Sequence, residues 1–210
     1  MVAVTKAAQA LRILERYLIE VVERYELCPW ARAARERREI AVGVLWGTPP
    51  LDAWVAEAER LLAVPVTRVA MVIAPELASS RAAFGALRDQ VAERIPSAGV
   101  AEFFPVAALD LATPARLVPF LRRSPDPLLQ LVPLHLIEAV RAAPRPSGLA
   151  QQASMLRDHA APPPAAPGER IAAANHATVA ELHAAITATL DDIAADRRAA
   201  YARAGISESR

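Results

Sequence analysis

The sequence predicts an α/β protein: about four strands in an at least partly parallel sheet, flanking helices, and a long helix at the C-terminus. Three observations carry this. Short apolar runs alternate with segments of helical periodicity, the pattern of strands joined by helical crossovers. One run, Val66 to Ala74, is apolar almost throughout, as a strand covered on both faces must be. Finally, Val179, Leu182, Ile186, Leu190 and Ile193 step by 3, 4, 4 and 3 residues, which lays an apolar stripe along one helix.

The elements follow in order. Leu11, Leu14, Leu18, Val21, Val22 and Tyr25 recur at helical spacing among charged residues, so an amphipathic helix opens the chain and stops before Pro29. A short basic helix is expected over residues 30–38, with Pro29 suited to its first position. Ile40 to Trp46 reads as a strand, broken by Gly47-Thr48-Pro49-Pro50. Thr48 is expected to cap the next helix, whose stripe is Trp54, Val55, Ala58, Leu61 and Leu62. After the strand at Val66 to Ala74, Ser79 or Ser80 caps a helix carrying Phe84, Leu87, Val91 and Ile95. Strands are expected at Val100 to Val106 and Leu128 to Val132, and helices at Thr113 to Leu121 and Leu134 to Ala142. The expected organisation is an α/β domain over residues 1–143, a proline-rich linker over 144–168, and a helix over 169–204 packed on the domain or on a partner.

Composition excludes several functions. The 210 residues suit one domain with an appendage, and 54% hydrophobic against 22% charged residues provides a real core. A formal net charge of +1 gives no general field for nucleic acid, and no aromatic-basic strand face is present to stack bases. No apolar run approaches a membrane span or a signal peptide, so a cytoplasmic chain with a reduced thiol is expected. One cysteine and four histidines offer no metal set. Seven glycines form no phosphate-binding loop, and no nucleophile elbow or zinc-protease motif occurs, so no cofactor is expected.

Two constellations carry candidate chemistry. Cys28 sits between two helices, before Pro29. As the residue preceding a helix it would face unpaired N–H groups, with Arg32 and Arg35 nearby, a setting that favours a thiolate. The alternative is a small apolar residue packed under Trp30. The second is Arg122-Arg123-Ser124-Pro125-Asp126-Pro127, where two prolines stiffen a turn and two arginines present planar forks to a carboxylate or phosphate. The alternative is a solvated turn in which Asp126 pairs with an arginine. His176 and His183 lie roughly 10 Å apart on a helix and so do not chelate one ion. His135 reads as a capping or surface imidazole, and His159 carries no signal.

Leu27-Cys28-Pro29-Trp30-Ala31 and Arg123-Ser124-Pro125-Asp126-Pro127 resemble two motifs of an uncharacterised bacterial family, domain of unknown function 1415. Its members carry Leu-Cys-Pro-Phe-Ala after a first helix and Arg-Ser-Pro-x-Pro further on. Residues 175–178 look similar to that family's C-terminal helix. The resemblance implies the same element order over residues 5–142 and a site near the two motifs. It departs at Phe104-Pro105, where the family has His-Pro, and at Gln130, where the family has a histidine.

Three functions remain open on this reading. The first is binding of a small anionic ligand near Cys28 through Arg123, Ser124 and Arg32. The second is thiol-dependent catalysis with Cys28 as nucleophile. The third is a protein-interaction role, with a homodimer through the C-terminal helix as one form of it.

Overall fold

A computed structural model describes residues 5–142 and 167–207. The linker expected at 144–168 lies, except for its last two residues, outside the described residues, as does His159. Four strands form one mixed sheet: β1 (Ile40–Val44), β2 (Val69–Ile73), β3 (Ala98–Phe103) and β4 (Leu128–Pro133), in the order β1-β2-β4-β3. β1 and β2 are parallel, with Val42 opposite Met71. β4 runs antiparallel to both neighbours, placing Gln130 between Met71 and Ala101. The α/β class read from the alternating runs therefore stands. The antiparallel β4 is what makes the sheet mixed.

The pleat sends successive side chains of each strand to opposite faces. Ala70, Val72, Leu129 and Leu131 pack with Trp54, Val55, Ala58 and Leu61 of α3 (Leu51–Leu62) and with Phe84 and Val91 of α4 (Arg81–Arg94). Met71, Ile73 and Leu128 face the other way. There they meet α1 (Lys6–Tyr17), α5 (Pro114–Leu121) and the C-terminal helix α7 (Pro167–Ala204). The central strands are thus covered on both sides. α2 (Ala31–Glu36) precedes β1, and α6 (Leu134–Ala142) follows β4 directly.

Caps agree with local chemistry where a hydroxyl was available. Thr5, Ser80 and Thr113 each accept a backbone N–H three residues on, at the starts of α1, α4 and α5. At α3 the cap is Pro50 and not Thr48, with no side-chain bond. The first helix continues past Tyr17 as a π-helical turn over Leu18–Glu23. Its wider winding is seen in the bonds from Arg24 N–H to Ile19 O and from Leu27 N–H to Val22 O. Val21 and the carboxylate-bearing Glu23 are both buried there.

α7 closes on its own chain. Val179, Ile186, Ile193 and Ala200 recur every seven residues and are buried, with Leu190 and Tyr201 beside them. Their partners include Ala10, Ile13, Leu14 and Tyr17 of α1. Leu182, expected in this stripe, is 37% exposed. The inward face follows the heptad-spaced residues and those four places after them, so a residue three places on lies at the margin. No helix among the described residues is long and apolar enough to cross a membrane.

Candidate functional site

The ends of β2 and β3 and the turn before β4 meet over α7. After Ile73 the chain reaches Leu77 and Ser79 before α4. After Phe103 it makes Phe104-Pro105-Val106. The turn Ser124-Pro125-Asp126-Pro127 bends back into β4. It is tied to the neighbouring strands by Phe104 N–H to Arg122 O at 3.0 Å and Ala74 N–H to Pro127 O at 3.0 Å. Between these segments lies a cleft of about 340 Å³, lined by Leu77, Phe104, Pro105, Val106, Pro125 and Pro127 on its apolar walls. Ser79, Ala194, Arg197 and Arg198 complete it. That volume is at the small end of the range of ligand pockets.

The floor is a buried charged network. Asp126 Oδ1 accepts from Arg197 Nε at 2.7 Å and Oδ2 from the Tyr201 hydroxyl at 2.6 Å. Arg197 also donates to the Pro75 carbonyl at 3.0 Å and lies 4.4 Å from the Tyr201 ring centroid. Burial pushes the Asp126 carboxyl up against the opposing pull of Arg197 and Tyr201. Burial, then the adjacent Asp126 charge, raises the Tyr201 phenol. An ion pair this enclosed fixes geometry more than it adds stability. Here it fastens the cleft's turn to α7.

The expected site residues fall in different places. The Ser124 hydroxyl is buried and donates to the Asp126 carbonyl at 2.5 Å, so it holds the turn. Arg123 packs its guanidinium 5.5 Å from the Phe120 ring centroid and 3.9 Å from Asp191. Arg32 is engaged by a carboxylate. It faces Glu23 at 3.7 Å, and Arg35 grips the same buried carboxylate at 2.6 and 2.9 Å.

Cys28 is half-buried and does not cap α2. The helix begins at Ala31, Trp30 occupies the cap position, and the Cys28 carbonyl accepts the Ala31 N–H. Trp30 is 49% exposed. Burial, and then the neighbouring Cys28, raises the Tyr17 phenol, which places the sulfur near that buried hydroxyl. Next to Cys28, the Leu27 carbonyl accepts from Asn175, whereas Arg123 meets Asp191. Those positions on α7 are sixteen residues apart, or ~24 Å of helix. The two motifs meet α7 at different levels.

The remaining histidines supply no base to Cys28 through a hydrogen bond among the described residues. His176 bonds the Leu111 carbonyl at 2.9 Å. No group of three or more His, Cys, Asp or Glu side chains among the described residues is arranged to hold a metal ion. Arg197, Arg198 and Ser79 were missed by sequence reasoning because the first two lie on a helix more than seventy residues from the turn they face. The one available signal was Asp126 between two prolines, whose pairing with an arginine was an open alternative. Comparison with protein-family models, curated proteins and solved structures returned no match to this chain.

Proposed function

We propose that this chain binds a small organic anion in the cleft between the β2 and β3 ends, the Pro125–Pro127 turn and α7. The single observation behind this reading is the lining itself: two arginines, Arg197 and Arg198, stand beside walls whose other side chains, Ser79 apart, are apolar. Arg197 is committed to Asp126, so Arg198, which has no ion pair among the described residues, meets the ligand's acidic group. Leu77, Phe104 and Val106 take its apolar body. Ser79 offers a hydroxyl. The Arg123–Pro127 segment shapes the wall, with Ser124 bracing the turn. This moves the anion site away from Cys28 and Arg32.

On the same reading the chain is cytoplasmic, and its two motifs make it a divergent relative of the domain of unknown function 1415 family. Phe104 and Pro105, at that family's His-Pro position, lie in the cleft. An apolar ring there favours binding over proton transfer.

The test is thermal unfolding with a panel of small aliphatic and aromatic carboxylates. A ligand at 100 Kd adds about 2.7 kcal/mol of stability. Arg198→Ala should abolish the rise, and Cys28→Ser should leave it intact. Equal shifts in the parent and Arg198→Ala would remove the cleft from consideration. Loss of the shift in Cys28→Ser alone would return the site to the thiol.

A further inference from the structure

Beside the cleft, where β3 ends, two guanidinium groups approach one carboxylate and a third stands close by. Arg88 Nε lies 3.3 Å and Arg122 Nη1 3.6 Å from the same oxygen, Glu102 Oε2. Arg81, one heptad before Arg88 on α4, donates to the Val106 carbonyl at 2.9 Å. Residues seven apart share a helix face, and Arg122 reaches in from the end of α5, its own carbonyl tied to Phe104 N–H. Val106 and Phe104 are cleft-lining residues, so the cluster stands at the rim.

The internal charges do not balance. Arg88 and Arg122 face Glu102, Arg81 stands near enough to Arg122 to repel it, and the only other carboxylate paired with the three among the described residues is Asp89, 3.3 Å from Arg88 on the outer side. Nor is the hydrogen bonding complete. Arg88 Nε and Glu102 Oε2 are both buried with no hydrogen-bond partner among the described residues, since their contact lacks the needed geometry. Buried polar groups in this state are few in native folds. Burial lowers the Arg122 guanidinium, and the Arg88 and Arg81 charges lower it further against the pull of Glu102. An arriving anion relieves that repulsion.

We propose that Arg81, Arg88 and Arg122 form a second anion-binding point, for the phosphate group of a small phosphorylated molecule. Three guanidiniums supply more donors than one planar carboxylate accepts, whereas a phosphate offers three outer oxygens and up to two charges. Glu102 then holds Arg88 and Arg122 in place from behind. This point is independent of the carboxylate reading of Arg198.

The test is calorimetric titration of the full chain with inorganic phosphate, in sodium chloride of matched ionic strength. Phosphate should bind the parent, and bind about tenfold more weakly to Arg122→Gln and to Arg81→Gln, as loss of one charge-assisted contact implies. Arg198→Ala should bind it as the parent does. Arg81→Gln serves if Arg122→Gln misfolds, because Arg81 is at the first position of α4 and half-buried. No heat beyond chloride in the parent overturns the proposal. So does parental affinity in Arg81→Gln, or lost phosphate binding in Arg198→Ala, which would place phosphate in the cleft.

Discussion

The face of the sheet under α3 and α4 is closed by helices that lie next to its strands in sequence. The face under α1, α5 and α7 is closed largely by the two ends of the chain. On the first face the core is apolar, with the Arg88–Glu102 contact at its β3 margin: Trp54 and Phe84 meet edge to face with ring centroids 5.7 Å apart, over Ala70, Val72, Leu129 and Leu131. On the second, apolar packing is keyed by charge. Asp126, Arg197 and Tyr201 join the turn before β4 to α7. Arg12 and Arg16 of α1 both reach Asp196, and Arg16 also meets Asp192. Glu76 gathers Lys6, Gly47 N–H and Ser207 N–H near the chain ends.

The difference is one of register. A helix joined to its strand by a short loop has few ways to dock, so apolar burial suffices. A long helix with heptad-spaced small and branched residues can slide by a turn along α1 at little apolar loss. Buried polar pairs tolerate no such shift, because a slipped partner leaves a charge without compensation. The cleft lies on the keyed side, at the junction these contacts set.

The sharpest way to break this contrast is to empty the dry face. Trp54→Ala should lose about 3–5 kcal/mol, the usual cost of deleting a large buried aromatic side chain. The loss, read from urea unfolding, should be the same in low and high salt. The Trp54 Nε1 donor is buried without a partner, so Trp54→Phe should lose much less. A strongly salt-dependent loss in Trp54→Ala would show that this face, too, depends on charge.

On the keyed face, Tyr201→Phe removes one hydroxyl and almost no volume. It withdraws a hydrogen bond from a buried carboxylate, worth about 1.5–3 kcal/mol. Hydrogen exchange should quicken in α7 and α1 while β2 and β4 keep their protection. Equal acceleration across the sheet would mean that α7 and the sheet open as one unit, and the two faces would not be separable.

A smaller effect, with a pH signature, is expected at Asp196. Hydrogen bonds from Arg12 and Arg16 hold its carboxyl far below the usual range. A carboxyl whose folded value is depressed adds stability above its unfolded value of about 3.9, and that stability is lost as pH falls toward the folded value. The network is partly exposed, so Asp196→Asn should lose only ~0.5–1 kcal/mol at pH 7. The gap between parent and variant should close in acid and shrink in salt. A gap constant from pH 7 to pH 3 would mean that the side chain acts by packing and not by charge.

The sequence made the sheet legible because each strand is a short apolar run bounded by breakers, as at Val69–Ile73 before Pro75. It also offered Ser80, beside Ser79, as a cap, since a hydroxyl before a helix has a local role. The site was harder to see. Cys28 looked like a helix cap because Pro29 favours a first turn, but the helix starts two residues later. Arg32 looked free because its partner, Glu23, sits in a π-helical turn that helical periodicity does not anticipate. Arg197 and Arg198 carry no local signal, and nothing near them in sequence tells that Asp126 waits across the fold.

The smallest expected effect concerns the α7 stripe. Leu182 and Ile186 both belong to it by spacing, yet they differ in the fold: 37% against 1% exposed. Burial, not periodicity, sets the energy of an apolar side chain. Ile186→Ala should therefore lose about 2–5 kcal/mol, the range for a fully enclosed aliphatic residue. Leu182→Ser should fall within about 0.5 kcal/mol of the parent, as substitutions at exposed positions do. Both are read from the urea midpoint on the full chain, with light scattering to follow association. If Leu182→Ser proves as costly as Ile186→Ala, something covers Leu182 in solution. A loss that grows with protein concentration would identify that cover as a second copy of the chain, and a concentration-independent loss would place α7 in a deeper seat on its own sheet.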